Sequence, residues 1–191
     1  MSLRERQKAQ TREHLLDVAA GLFAEKTYGA TTIEDIARAA GSSRATVYSY
    51  FSTKEDLLRT LAAEMWEAAE RLYRSLTELP EWSRDAIRAW LDDVVASWDR
   101  TVVRIRYVVE SMSRELRDDY LRYHRSSVGL LTADLERWHP FTAAEAEIRS
   151  LLLIAQMETF FANWYLRGWE LDRATVLDTV ADVWCGVLGV D

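Results

Sequence analysis

Hydrophobic side chains recur at intervals of three and four residues over most of this chain, which is the spacing of one face of an α-helix. The pattern predicts helices near residues 9–25, 33–40, 44–51, 54–79, 83–99, 102–109, 112–137, 142–167 and 172–188. Between Thr101 and Glu110, valine and isoleucine alternate with arginine, as they do in a strand. A lone strand would have no ladder partner, so we expect a helix there as well.

Residues at the predicted helix ends have the chemistry of caps. Thr32 with Asp35 three residues later forms a capping-box pattern, and Gly41 is placed to end the same helix. Ser42 or Ser43 can cap the following helix. Further caps are expected at Ser52 or Thr53, at Thr142 after His139-Pro140, and at Asp172.

The composition also favours long helices. The chain has 191 residues with 2 Pro and 7 Gly, whereas average usage would give roughly 10 and 13. Cys185 is the single cysteine, so no intrachain disulfide can form. The polar N-terminus is unlike a signal peptide, and no apolar run could span a membrane. We therefore expect an all-α protein of the reducing cytoplasm without a membrane partner.

Residues 32–54 hold the pattern of a helix-turn-helix motif, in which the second helix can lie in the major groove of DNA. Val47 and Phe51 are apolar and four residues apart, which predicts that they face the core. The opposite face centres on Ala45, Thr46 and Ser49, and it is small, polar and free of acidic side chains. Such a face suits base edges and a thymine methyl group.

The flanking side chains suit the DNA backbone. Arg44 can pair with guanine or hold a phosphate, and the hydroxyls of Tyr48 and Tyr50 suit phosphate oxygens. Lys54 begins the next helix, where its charge and the backbone N–H groups can hold a phosphate together. On pattern alone, however, a short helical hairpin inside a bundle fits equally well.

The charge distribution is compatible with DNA as a partner. The net charge is −7, but residues 1–60 carry 9 basic and 8 acidic side chains, a balance of +1. The remainder carries 15 basic and 23 acidic side chains, a balance of −8. An acidic body would repel DNA and favour docking by the N-terminal end.

The stretch "LLDVAAGLFAEKTYGATTIEDIARAAGSSRATVYSYFSTKEDLL" resembles the DNA-binding domain of the TetR family of transcriptional regulators, over roughly residues 9–68. The resemblance rests on Ala-x-x-Leu-Phe, Thr-Thr-x-x-x-Ile-Ala, Ala-Gly-x-Ser, Tyr-x-x-Phe and Lys-Glu-x-Leu. It implies a homodimer with an N-terminal three-helix DNA-binding domain at 9–68 and a C-terminal helical ligand-binding and dimerisation domain at 69–191. The predicted DNA-binding residues are Thr32, Ser42, Ser43, Arg44, Ala45, Thr46, Tyr48, Ser49, Tyr50 and Lys54.

Three positions depart from the family pattern. Thr27 stands where members usually have Gly, so we expect the first connection to turn at Gly29 instead. Ser42 replaces a frequent Val, and Ala45 replaces a frequent Gly. These changes affect local geometry and operator sequence, and they leave the fold unchanged.

All 8 tryptophans lie beyond residue 60, and we expect most of them in the core. Gln156, Glu158, Thr159 and Asn163 interrupt an apolar helix, and each must face water, a dimer partner or a ligand. For Glu158 we expect the surface. The segments 157–164 and 176–184 resemble the last two helices of a mycobacterial TetR-family member, which line an apolar tunnel and form the dimer. The candidate ligand contacts are Trp90, Val94, Trp98, Tyr120, His124, Gln156, Phe160, Asn163 and Trp184.

The sequence therefore predicts a repressor that leaves a pseudo-palindromic operator when a small apolar or amphipathic effector binds. The helix from Thr53 to Leu79 would couple the two domains. No catalytic motif is present, and the histidines are too scattered for a metal site, so we expect neither an enzyme nor a metal or other cofactor. A helical enzyme and a DNA-binding protein without a ligand are the alternatives.

Overall fold

The computed structural model of this chain describes residues 2–97, 116–161, 163–164 and 168–190. Every regular element in these ranges is helical, which confirms the expected all-α fold. The α-helices described there are α1 Leu3–Lys26, α2 Ile33–Ala39, α3 Arg44–Tyr50, α4 Lys54–Thr77, α5 Arg84–Ser97, α6 Arg117–Leu131, α7 Ala143–Gln156 and α8 Arg173–Leu188. The predicted helix 102–109 and the alternative strand at Thr101–Glu110 lie outside the described residues.

The chain divides into two compact units, one of residues 1–65 and 100–117 and the other of residues 66–99 and 118–191. In the first unit, α1, α2, α3 and the start of α4 bury Leu15, Leu16, Ala19, Phe23, Ile36, Val47, Phe51, Leu57, Leu58 and Leu61. In the second unit, the core includes Ile87, Trp90, Leu91, Trp138, Leu153, Ile154, Phe161, Leu177 and Trp184. The expectation that most tryptophans pack in the core holds for Trp66, Trp90, Trp138 and Trp184.

Helix α1 begins at Leu3, six residues before the apolar spacing predicts. Ser2 is its N-cap, because its Oγ accepts from the N–H of Glu5 at 3.3 Å and its own N–H donates to Glu5 Oε2 at 2.6 Å. The added residues are mostly Arg, Glu, Gln and Lys, which favour helix although they bury nothing. The capping box thus extends α1 well beyond its buried stripe, which starts at Leu15.

The prediction of one helix over 112–137 is wrong at its C-terminal end, because α6 stops at Leu131. The indole Nε1 of the fully buried Trp138 donates to the carbonyl of Leu131 at 2.9 Å. A continuous helix would separate these residues by about 10 Å along its axis. Instead, Asp134 accepts from the N–H of Glu136 and begins a short 3-10 helix, Leu135–Trp138.

Helices α7 and α8 begin at the predicted caps. The Thr142 Oγ1 accepts from the N–H of Glu145 at 3.3 Å, and the Asp172 carboxylate accepts from the N–H of Thr175 at 2.9 Å. The N–H and the hydroxyl of Thr142 also donate to Glu145 Oε2, at 2.8 and 2.7 Å, and they lower the pKa of Glu145. The bond from the N–H of Thr175 likewise lowers the pKa of Asp172. After α7, the backbone widens into a π-helical turn, Met157–Phe161, which the sequence pattern does not predict.

Three ion pairs fix α5 against α8 in antiparallel order. The N–O distance is 2.6 Å in each of the pairs Arg84–Asp182, Arg88–Asp178 and Arg173–Asp92. Partly exposed pairs of this kind contribute little stability individually. Their regular spacing sets the register of the two helices above the buried contact of Trp90 with Trp184. No helix within the described residues is long and apolar enough to cross a membrane.

Candidate functional site

The start of α2 is held by the predicted capping box. Thr32 donates its N–H to Asp35 Oδ2 at 3.1 Å, and its Oγ1 accepts from the N–H of Asp35 at 3.1 Å. The hydrogen bond from the Thr32 side chain, followed by the one from its backbone, lowers the pKa of Asp35. Thr32 itself is exposed, so its hydroxyl lies at the surface of the first unit.

A tight reversal joins α2 to α3. Gly41 has a φ of +61°, in the left-handed region where a side chain is costly. The N–H of Ser42 donates to the carbonyl of Ala37 at 2.8 Å, and the N–H of Gly41 donates to that of Arg38 at 3.2 Å. These two bonds form a Schellman motif. Gly41 therefore sets the direction in which α3 leaves the turn.

Ser43 is the residue that caps α3. Its Oγ accepts from the N–H of Thr46 at 3.0 Å and lies 2.8 Å from the Thr46 hydroxyl. The Ser49 hydroxyl donates to the carbonyl of Thr46 at 2.7 Å. The polar side chains of α3 are thus ordered by bonds within the helix, and Ser42 is left half-buried beside the turn.

The two faces of α3 differ as the sequence predicts. Val47 is fully buried and Phe51 is 2% exposed, which confirms that they face the core. Thr46 and Tyr50 are half-buried at the sides. The outward surface, which we call the α3 face, consists of Arg44, Ala45, Tyr48 and Ser49, all of them exposed. Arg44 forms no hydrogen bond or ion pair with any described residue, so its guanidinium is available to another molecule.

Lys54 is placed differently from the expectation. Its Nζ donates to the carbonyls of Tyr28 and Thr31, both at 2.8 Å, and lies 4.0 Å from the centre of the Tyr28 ring. Desolvation by burial lowers the pKa of the Lys54 ammonium. The side chain predicted to hold a phosphate is therefore turned to the α1–α2 connection, which it ties to the start of α4.

The same connection contains a second difference. The chain turns at Gly29 as expected, with the N–H of Thr31 donating to the carbonyl of Tyr28 at 3.1 Å, but the positive φ falls on Thr27, at φ 71° and ψ 155°. This backbone region is almost exclusive to glycine. The Thr27 carbonyl accepts from the Thr31 hydroxyl at 2.8 Å, and the Leu22 carbonyl accepts from it at 3.3 Å. The buried Thr31 thereby holds the strained residue in place.

In the second unit, several candidate ligand residues bind one another. The Trp184 indole donates to Gln156 Oε1 at 2.6 Å, and the Trp184 ring packs 5.3 Å from that of Trp90. Trp90 donates in turn to Ser75 Oγ at 2.9 Å. Gln156 therefore already has an internal partner. Val94 is buried close by on α5.

A second cluster surrounds Glu158, and it corrects the expectation that this residue lies at the surface. Glu158 is 8% exposed, and its Oε2 accepts from the Tyr120 hydroxyl at 2.8 Å and lies 3.3 Å from His124 Nε2. The π-helical turn carries Glu158 inward. The signal in the sequence is the spacing of Tyr120 and His124, one helical turn apart on α6.

The remaining candidates are dispersed. Phe160 packs edge-on against Phe161 and Trp169, and Asn163 donates to the carbonyl of Thr159 at 2.7 Å. Trp98 lies outside the described residues. In the described part of the chain, no group of three or more His, Cys, Asp or Glu side chains is arranged to hold a metal ion.

Comparison with known proteins agrees with this geometry. Residues 15–61 match the family model described as bacterial regulatory proteins, tetR family. The chain is 41% identical to the transcriptional regulator AcrR of Shigella flexneri over 71 residues, which cover 37% of this chain and 31% of AcrR. It is 25% identical to the transcriptional regulator EthR of Mycobacterium tuberculosis over 180 residues, 89% of this chain and 83% of EthR. EthR is the mycobacterial family member mentioned in the sequence analysis. Segments 157–164 and 176–184 of this chain resemble its last two helices in sequence.

The overall fold also has counterparts among solved structures. The fatty acid degradation regulator FadR of Bacillus halodurans superimposes with a TM-score of 0.72 at 20% identity, covering 94% of this chain and 95% of FadR. The capped helix pair α2–α3 and the comparisons together identify a helix-turn-helix transcriptional regulator. The chain belongs to the TetR family of these regulators. Its relatives are regulators and not enzymes, as the sequence predicts.

Proposed function

We propose that this regulator is a repressor that binds a two-fold symmetric operator as a homodimer and leaves it when a small apolar or amphipathic molecule binds the C-terminal domain. Residues 9–68 would bind DNA, and residues 69–191 would bind the effector and the second protomer. Such a protein would act in the cytoplasm, where its operator lies. The observation that carries the proposal is the α3 face, which is exposed, free of acidic groups and aligned by internal hydrogen bonds.

Each side chain of the α3 face has a defined role in this proposal. Arg44 lies in the first turn of α3, where its exposed guanidinium can form a bidentate contact with guanine. Ala45 can contact a thymine methyl group, and the Ser49 hydroxyl can reach a base edge. Tyr48, at 47% exposure, presents its hydroxyl to a phosphate.

Residues beside the α3 face would complete the contact with the backbone. The hydroxyls of Thr32 and Ser43 cap helix starts, whose N–H groups favour phosphate. Ser42, Thr46 and Tyr50 border the α3 face. Lys54 would contact a phosphate through its backbone N–H rather than through its ammonium, because two carbonyls already accept hydrogen bonds from the ammonium.

An exposed apolar surface supports a homodimer. On α7, Ile148, Leu151 and Leu152 are 59%, 42% and 57% exposed, and on α8 Val183 is 47% exposed. Arg149 donates to the carbonyl of Val187 at 2.6 Å, which joins the two helices in the second unit. Large apolar side chains grouped on adjacent helices mark an interface, and a two-fold axis through them would pair identical surfaces.

The polar clusters inside the second unit support an effector site. Glu158 with Tyr120 and His124, and Gln156 with Trp184, are hydrogen-bonding groups set among large apolar side chains. Small-molecule sites in proteins combine these same ingredients. An effector that exchanges partners with either cluster would bind one arrangement of the domain better than another. Only such differential affinity can shift the population of the DNA-binding form.

DNA binding is tested by selecting duplexes from a random-sequence pool with the purified protein and measuring gel retardation. We expect an enriched, pseudo-palindromic sequence whose half-sites lie about 34–36 Å apart, one turn of B-DNA. The variant Ala45→Asp places a carboxylate on the α3 face and should abolish retardation. Ala133→Asp, at an exposed position of the second unit outside both proposed surfaces, is the matched control and should bind as the wild type does. Failure of the wild type to retard any duplex at low ionic strength would contradict the proposal.

Dimerisation is tested by sedimentation of the wild type and of the double variant Ile148→Asp/Leu152→Asp. We expect a dimer for the wild type and a folded monomer for the variant. The effector is tested by native mass spectrometry with solvent extraction, followed by addition of the extracted compounds to the protein–DNA complex. Release of DNA supports the repressor model. Unchanged operator affinity with every bound compound would contradict it and would indicate a DNA-binding regulator that has no small-molecule effector.

A further inference from the structure

The first turns of α1 form an exposed helical extension with an unusual pattern of charge. Residues 2–10 are all exposed, and within α1 the buried residues start at Leu15. At 100° per residue, Arg4 and Lys8 lie on the same side of the helix as Leu15 and Ala19. The stripe that is apolar where α1 packs on the core is therefore basic where α1 extends past it.

Within the described residues, these two cations are unpaired. Neither Arg4 nor Lys8 forms a hydrogen bond or ion pair with a described residue, and Glu5, their acidic neighbour, is engaged with the N–H of Ser2. An unpaired side chain at the surface is ordinary. Two on the core-facing side of a helix, both exposed with respect to the described residues, present that side to an anionic partner.

Arg12 is the next basic residue along this stripe, and it lies beside the end of α3. One turn after Lys8, its guanidinium lies 5.4 Å from the centre of the Phe51 ring and pairs with Glu64 at 3.3 Å. Phe51 is the C-cap of α3. The stripe of Arg4 and Lys8 thus continues outward from the end of the helix that carries the α3 face.

We propose that Arg4 and Lys8 contact DNA phosphates flanking the bases that α3 faces, so that the α1 extension widens the binding site. Arg4 lies about 12 Å along the axis from Arg12, which corresponds to about three to four base pairs of B-DNA. Two phosphate contacts per protomer contribute affinity without sequence preference. This inference rests on the proposed DNA binding and on its dimeric form.

The test compares the salt dependence of binding for the wild type, Arg4→Gln/Lys8→Gln and Arg6→Gln on one duplex selected by the wild type. Arg6 is equally exposed and equally charged but lies on the opposite side of α1, which makes it the matched control. Losing two phosphate contacts lowers the slope of log affinity against log salt by about 1.8 per protomer, or about 3.6 for a bound dimer. Between about 50 and 200 mM salt, the double variant should then lose about 150-fold less affinity than the wild type.

The expected result is a reduced slope for Arg4→Gln/Lys8→Gln, an unchanged slope for Arg6→Gln, and a hydroxyl-radical footprint that is shorter at both ends only for the double variant. Equal slopes for wild type and double variant would overturn the inference and leave the proposed function standing. An equal reduction by Arg6→Gln would also overturn it, since it would reveal a general effect of charge. A wild type that binds no duplex would refute both the inference and the proposed function.

Discussion

Replacing Thr27 by glycine should stabilise the first unit. Thr27 sits at φ 71° and ψ 155°, a region whose occupation costs a residue with a side chain about 1–3 kcal/mol. Glycine removes that cost but adds freedom to the unfolded chain, which costs about 0.4–1 kcal/mol. The side chain of Thr27 is exposed, so little packing is lost. We therefore expect a net gain in the free energy of unfolding of about 1 kcal/mol.

The matched control is Thr27→Ala, which removes the branched side chain but keeps the Cβ atom that makes this conformation costly. All 8 tryptophans lie at residue 66 or later, so their fluorescence reports the second unit. Hydrogen exchange of the buried α1 amides reports the first unit directly. We expect slower exchange for Thr27→Gly than for Thr27→Ala. Equal exchange in the two variants, or faster exchange in Thr27→Gly, would refute the assignment of strain to Thr27.

The remaining predictions concern three side chains whose partners the structure defines. Lys54→Met should lower the free energy of unfolding of the first unit by about 2 kcal/mol, because the carbonyls of Tyr28 and Thr31 lose a charged donor. Urea unfolding measures this change. If the variant unfolds as the wild type does, the Lys54 ammonium is not needed for stability, and a contact with a DNA phosphate is favoured instead. Because Asp35 has a lowered pKa, its charged form stabilises the protein above the usual pKa of 3.8, and this contribution is lost as the pH falls through the folded-state value. Asp35→Asn should therefore weaken stability at neutral pH and match the wild type in strong acid, as thermal unfolding across pH will show. Glu158→Leu should destabilise the second unit by about 1–3 kcal/mol by removing a buried acceptor, whereas Glu158→Gln should retain most of its stability in urea unfolding.

Local chemistry made the first half of this fold predictable. The caps at Thr32 and Ser43 act on N–H groups three residues away, and the Gly41 turn depends on one backbone conformation. The burial of Val47 and Phe51 follows from helical spacing alone. These features need no knowledge of distant residues, so a pattern in the sequence is enough to locate them.

The features that the sequence missed depend on partners far along the chain. The ammonium of Lys54 is held by carbonyls 23 and 26 residues earlier, and the buried carboxylate of Glu158 is satisfied from α6, 34 and 38 residues earlier. The end of α6 depends on Trp138, which turns back to cap the helix from the following segment. Spacing within α6 places Tyr120 and His124 on one face, but it does not identify Glu158 as their partner.

The positive φ of Thr27 has a different cause. Glycine is the residue that adopts a positive φ most readily, and the connection does contain the expected turn at Gly29. The positive φ nevertheless falls on Thr27, where α1 ends, and the hydrogen bonds of Thr31 hold that residue in place. Tertiary context therefore outweighs the preference of a single residue at this position.

The most direct test of the central claim, that the α3 face reads DNA bases, is the base-preference profile of Arg44→Ala. Wild type and variant are each titrated against the selected duplex and against every single base-pair change within one half-site. We predict that the variant loses discrimination at one base pair, worth about 1–3 kcal/mol, and keeps the profile elsewhere. Identical profiles for the two proteins, together with undiminished binding by Ala45→Asp, would contradict the claim.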